Sequence, residues 1–176
     1  MTHIYKSLLI FGLLCGILGN ANIANGKRIH DKNYKYKITI PKTALQIKDT
    51  SGGQEGSLFY DTSKDIVLII SARESAFTSV KEYIDCSNTE LETKLKQSFG
   101  DSTLNMISCN RSEFYPEQTA VVHFSVGDLQ NGFNTYVIYF IHNRNEDLQI
   151  SFTYNKETEQ RSVAYIDGVM HSLKLL

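Results

Sequence analysis

Three short runs do most to constrain what this chain can become: DIVLIIS at 65–71, VVHFSV at 121–126 and YVIYFI at 136–141. Each is apolar on both faces, rich in β-branched or aromatic residues, and too short to be a buried helix. Such runs belong to strands of a sheet covered on both sides, and 65–71 is placed at its centre.

The other elements follow from period and punctuation. In YKYKITI, Tyr34, Tyr36, Ile38 and Ile40 alternate with Lys35, Lys37 and Thr39, which gives a strand ended by Pro41. A loop through Gly52, Gly53 and Gly56 leads to a strand at 57–60 and then to the central one. Between 79 and 99 the period changes: Val80, Tyr83, Ile84, Leu91, Leu95 and Phe99 fall along a helical face. Capping boxes at Ser79/Glu82 and Ser87/Glu90 suggest two helices joined near Cys86. Glu90 to Lys94 and Glu92 to Lys96 are spaced to pair across a turn on the outer face.

A four-stranded meander is expected at 103–112, 118–127, 133–142 and 147–154. Pro116, Asn131-Gly132 and 143–146 mark its turns. A closing helix starts near Asn155, with Val163, Ile166, Met170 and Leu173 as its core face. The fold class is α+β: a mainly antiparallel sheet of about six or seven strands with helices on both faces, an α/β/α sandwich.

Residues 1–21 read as a cleavable signal peptide. Lys6 and His3 precede an apolar stretch from Leu8 to Leu18, and Gly19 and Ala21 follow it. Cleavage is expected after Ala21, or else Ala24. The stretch is short of the roughly 20 residues a membrane span needs, although a retained anchor or a buried N-terminal helix is the alternative. Leu13 and Leu14 before Cys15 do not suit lipid attachment. The remaining 22–176 are expected to form one domain with no stable membrane insertion, periplasmic or secreted from a bacterium.

Removal of the leader leaves 17 basic side chains against 19 acidic, a net charge of −2. That balance gives no electrostatic reason to expect nucleic acid or an anionic membrane as partner. It also leaves Cys86 and Cys109, an even count in an oxidising compartment. They are expected to pair, closing a loop of about 24 residues worth about 3 kcal/mol; two buried free thiols are the alternative.

The segment YKYKITIPKTALQI, the helix around SVKEYI, the meander and the closing VMHSLKLL together resemble the Mog1/PsbP-like superfamily over nearly all of the mature chain. Many relatives place Trp shortly after the Pro, where this chain has Leu45. The resemblance implies a mostly non-enzymatic role: members include a Ran-binding factor, an extrinsic photosystem II subunit and exported bacterial proteins. An export signal is incompatible with a cytosolic or nuclear Ran partner, and this leader is too short and too poor in Ser and Arg for a plastid transit peptide.

No recognisable catalytic signature is present: no G-x-S-x-G, H-E-x-x-H, Walker or EF-hand pattern occurs, and no cofactor or metal is implied. His30, His123, His142 and His171 fall in separate elements; His123, mid-strand, reads first as a core histidine and His171 as a helix-end dipole partner. Asp61, Asp65, Glu113, Glu117 and Asp128 sit near strand ends and read equally as turn residues. Asn110-Arg111-Ser112 fits a glycosylation pattern that matters only in a eukaryotic secretory pathway.

Aromatic residues are the compositional excess, with 10 Tyr and 9 Phe, and most must fill the sheet's two faces. Where exposed, the aromatics near turns, Phe114, Tyr115 and Phe133, together with Asn131 of the hairpin turn, form the candidate binding patch. The leading expectation is an exported non-catalytic domain that recognises a protein partner. A small extracellular hydrolase, or a small-molecule binder with a site near His123, is the alternative.

Overall fold

The computed structural model describes residues 26–32, 34–47, 56–99, 103–127, 134–143 and 146–176. The predicted signal peptide, the Gly52-Gly53 loop and the Asn131-Gly132 turn lie outside them.

The described residues divide into two compact units, one within Leu45–Glu159 and a second that joins those of 26–44 to Gln160–Leu176. The larger unit is built on a seven-stranded antiparallel sheet in the order β3-β4-β5-β9-β8-β7-β6. Its strands are β3 (Ala44–Ile47), β4 (Gly56–Asp61), β5 (Ile66–Glu74), β6 (Leu104–Arg111), β7 (Thr119–Val126), β8 (Thr135–Asn143) and β9 (Glu146–Tyr154). The four-stranded meander is found as read from the sequence; β5 pairs on both sides, with β4 and β9, but the central strand is β9 and not β5, because β3 adds only one short strand beyond β4 while the meander adds four on the other side. With its helices this is an α+β fold. The short strand β3 went unforeseen because Leu45 and Ile47 are 63% and 44% exposed, so ALQI buries no alternating face.

Two helices cover part of one sheet face. Helix α1 (Val80–Tyr83) is one turn long and opens on the expected box: Glu82 Oε1 accepts from the Ser79 backbone N–H at 3.0 Å. Helix α2 (Thr89–Phe99) is not capped by the predicted Ser87/Glu90 box. Asn88 Oδ1 accepts from Glu90 N–H at 3.0 Å, while Ser87 bonds Asp85 at 2.6 Å, because the chain tightens into a turn at Asp85 and shifts the cap by one residue. The Glu90–Lys94 and Glu92–Lys96 pairs form at 3.2 and 2.6 Å.

Val80, Tyr83, Leu91 and Leu95 pack with Ala120, Val122 and Phe124 of β7 and with Ile138 and Phe140 of β8. A disulfide ties this layer to the edge strand: Cys86, between the helices, is bonded to Cys109 on β6, with Cα atoms 5.3 Å apart.

In the smaller unit, β1 (Lys27–Asp31), β2 (Tyr36–Ile40) and β10 (Lys174–Leu175) form a three-stranded sheet with β2 in the middle. Strands β1 and β10 are charged and short, with little apolar alternation to announce them. Helix α3 (Glu159–His171) follows a 3₁₀ turn whose cap is Asn155, as expected: its side chain accepts from Glu157 N–H at 3.0 Å. Ile166, Met170 and Leu173 are buried, but Val163 is 53% exposed. The buried stripe runs Ser162, Tyr165/Ile166, Val169/Met170, and Val163 stands about 100° away from Ser162 around the helix. His171 Nδ1 contacts the Asp167 carbonyl at 2.9 Å, consistent with its helix-end role.

Candidate functional site

Alternation along the strands gives the large sheet two unlike faces. Register places Ile69 and Ser71 of β5 beside Ser151 and Gln149 of β9, which stand beside Ile138 and Phe140 of β8. On β8 and β7 this face is apolar and lies under α1 and α2. On β9 and β5 it turns polar: Ser71 and Thr153 are buried, Gln149 and Ser151 are half-buried, and Ile69 is 37% exposed. The boundary between covered and open halves is a cleft of about 590 Å³. Ile69, Ser71, Gln149, Ser151 and Tyr136 line its sheet side, Phe77, Leu91 and Lys94 its helix side, with Arg73 and Glu74 at the rim.

Lys94 fixes the helix-side wall. Its ammonium donates to the Ala76 carbonyl at 2.6 Å, stands 4.5 Å above the Phe77 ring and pairs with Glu90. Beneath it, Tyr83 is fully buried, stacked on Phe140 at 4.6 Å and edge-on to Phe77 at 4.9 Å. Its hydroxyl donates to Asp147, itself fully buried, and accepts from Ala76 N–H at 3.1 Å. Burial first, and then the bond to Asp147, push the Tyr83 phenol far above its ordinary value.

Ser75, His142 and Asp147 also meet here, which invites comparison with a nucleophilic triad. Ser75 Oγ donates to Asp147 Oδ1 at 2.6 Å, and His142 Nδ1 lies 2.9 Å from the same oxygen and 3.1 Å from Ser75 Oγ. A working triad needs the serine on one ring nitrogen and the carboxylate on the other. Here both crowd Nδ1 and the serine proton points at the carboxylate, so the imidazole cannot collect it. The arrangement satisfies a buried carboxylate with surrounding donors. Sequence reading missed it, although His142 and Asp147 flank the β8–β9 turn and antiparallel register makes them direct partners.

His123 is half-buried on the other face of the sheet, with Nε2 3.4 Å from the Tyr154 hydroxyl, and does not line the cleft. Burial lowers its pKa, and the charge of Glu159 partly opposes this. Asp61 accepts from Ser63 N–H at 3.0 Å and Ser63 Oγ at 2.6 Å, and Asp65 accepts from Tyr60 at 3.0 Å, so both serve the β4–β5 turn. Glu113 and Glu117 are exposed around the β6–β7 turn, and Asp128 lies outside the described residues.

Phe114 and Tyr115 stand in that turn. Phe114 is half-buried and edge-on to Tyr139 at 6.4 Å, whereas Tyr115 is 37% exposed on a left-handed backbone (φ 52°). They precede β7, while Asn131 and Phe133 come after its last strand residue and lie outside the described residues. The described residues contain no group of three or more His, Cys, Asp or Glu placed to hold a metal, and no described helix is long and apolar enough to cross a membrane.

No protein-family model matches the chain, and no curated protein does. Solved structures do. The solution structure of cyanobacterial PsbP (CyanoP) from Synechocystis sp. PCC 6803 is similar at a TM-score of 0.61 and 15% identity, covering 85% of this chain and 92% of that one. A Mog1 mutant is similar at 0.56 and 10% identity, covering 86% and 96%. A protein from Bacteroides thetaiotaomicron reaches 0.50 and 16%, covering 86% of this chain and 48% of its own. The fold is Mog1/PsbP-like.

Proposed function

We propose that the chain is an exported, non-catalytic binding or accessory domain, with residues 22–176 as its one mature domain, and that it recognises a protein in the bacterial envelope or outside the cell. The observation that carries this reading is the open half of the sheet face beside α2. There an exposed Ile69 is set beside the half-buried hydrogen-bonding side chains Gln149 and Ser151, with Arg73, Glu74 and Lys94 nearby. Apolar surface ringed by polar groups of both signs is the make-up of a protein contact. Tyr115, 37% exposed at the β6–β7 turn beside Phe114, offers a second contact, and Asn131 and Phe133, in the turn that follows β7, would offer a separate one.

Export is supported by the apolar leader and by the Cys86–Cys109 disulfide, a bond that persists outside the reducing cytosol. The shared fold supports a non-catalytic role, as the Mog1/PsbP resemblance implies. Affinity capture from envelope extract of the native host, with immobilised wild type against Ile69→Glu and Val163→Glu, tests the reading. A saturable partner lost with Ile69→Glu and kept with Val163→Glu is expected; a partner indifferent to Ile69→Glu contradicts it.

A further inference from the structure

We infer that the outer face of the three-stranded sheet, carrying Arg28, His30, Lys37 and Lys174, is a binding site for a multivalent oxyanion of the phosphate or sulfate type, borne by a small soluble molecule or a lipid headgroup. The inference rests on register. Lys37 on the central strand stands directly opposite His30 on one side and Lys174 on the other, and Arg28 stands opposite Thr39 in the next row of the same face. Tyr36 and Ile38 face the other way and are 4% and 1% exposed.

Like charges directly opposite each other, here Lys37 and Lys174, weaken a sheet, and among the described residues no carboxylate pairs with this row. Asp31, the one acid of β1, stands opposite Tyr36, raises that phenol's pKa and accepts from Tyr34 N–H at 3.0 Å, all on the other side of the pleat. Elsewhere the chain does pair its lysines, at Glu90–Lys94 and Glu92–Lys96. Among the described residues, the four groups of this face form no ion pair. They line a cleft of about 500 Å³ together with Ile29, Ile38, Thr39 and Ser172, and among the described residues no acid lies in its wall.

The near-neutral total charge conceals this concentration: residues 27–40 hold five Lys or Arg and one acid, in a chain with 18 and 19. A guanidinium fork and two ammonium groups on one sheet face fit the oxygens of a phosphate or sulfate group, which would neutralise the repulsion between Lys37 and Lys174.

The test is calorimetric titration of the full chain at low salt with inorganic pyrophosphate, and co-sedimentation with phosphatidylglycerol vesicles against phosphatidylcholine vesicles. Lys37→Gln should weaken binding at least tenfold, Lys37→Arg should retain it, and Lys81→Gln, on α1, should leave it unchanged. Without anion, Lys37→Gln should melt no lower than wild type, because it removes a repulsion; with pyrophosphate or the anionic vesicles, only chains that keep the cation should gain melting temperature. Pyrophosphate binding that depends on Lys37 assigns a soluble ligand, and Lys37-dependent binding to phosphatidylglycerol alone assigns a headgroup. No saturable binding to either, or binding unchanged in Lys37→Gln, overturns the proposal.

Discussion

The hydroxyl of Tyr83 on α1 donates to the buried carboxylate of Asp147 on β9, 64 residues further along the chain. One polar bond thus anchors a single-turn helix against the sheet, at the closed end of the cleft. Tyr83→Phe removes a donor from a carboxylate with no access to water and should cost about 1–3 kcal/mol in urea unfolding. Asp147→Leu strands Ser75, Tyr83 and His142 together and should cost more. In a Tyr83→Phe/Asp147→Asn cycle the two changes should couple by more than about 0.5 kcal/mol, and strict additivity would show that the bond carries little stability.

Stability should fall at alkaline pH. Burial first, then the charge of Asp31, raises the Tyr36 phenol to about 12, and burial with Glu159 raises Tyr154 to about 12. Above the ordinary value of 10.0 the unfolded chain releases these protons while the folded chain keeps them, so stability declines as pH rises from 10 toward 12. Each phenol steepens the decline by about 1.4 kcal/mol per pH unit. Denaturant midpoints across that range should fall less steeply in Tyr36→Phe.

His123 sets the opposite limb. Burial depresses its pKa below the ordinary 6.5, so in acid the unfolded chain takes up a proton that the folded chain refuses. The stability it contributes is complete above 6.5 and is lost as pH falls through the folded value. His123→Gln should flatten this acid limb in thermal melts between about pH 7 and pH 5. An unchanged slope would mean that the imidazole ionises as freely in the folded chain as in the unfolded one.

Reduction of the Cys86–Cys109 bond, or the Cys86→Ser/Cys109→Ser pair, should lower stability by about 3 kcal/mol, because the bridge closes a loop of about 24 residues in the unfolded chain. Denaturant midpoints with and without reductant measure it. Equal midpoints would remove the bridge from the account of what holds α1 and α2 to β6.

The meander and β5 were legible in the sequence because their apolar runs and turn residues agree with each other, as were the Ser79 and Asn155 caps. Strands β1 and β10 were not, since KRIHD and KL take their partners from β2 rather than from any pattern of their own. Val163 was misassigned because a one-residue error rotates a helical face by about 100°. The cleft was least legible of all. Gln149, Ser151, Ser71 and Ile69 are ordinary strand residues, and only register across two strands and the edge of α2 bring them to one surface.

The measurement that most directly tests the binding role is photo-crosslinking in living cells of the native host, with benzoylphenylalanine placed at Ile69, at Tyr115 or, as a control, at Lys81. A discrete protein adduct at Ile69, absent at Lys81 and abolished by adding Gln149→Arg to the same chain, is the predicted result. No protein adduct at either Ile69 or Tyr115, from a chain shown to be exported and folded, would contradict the account.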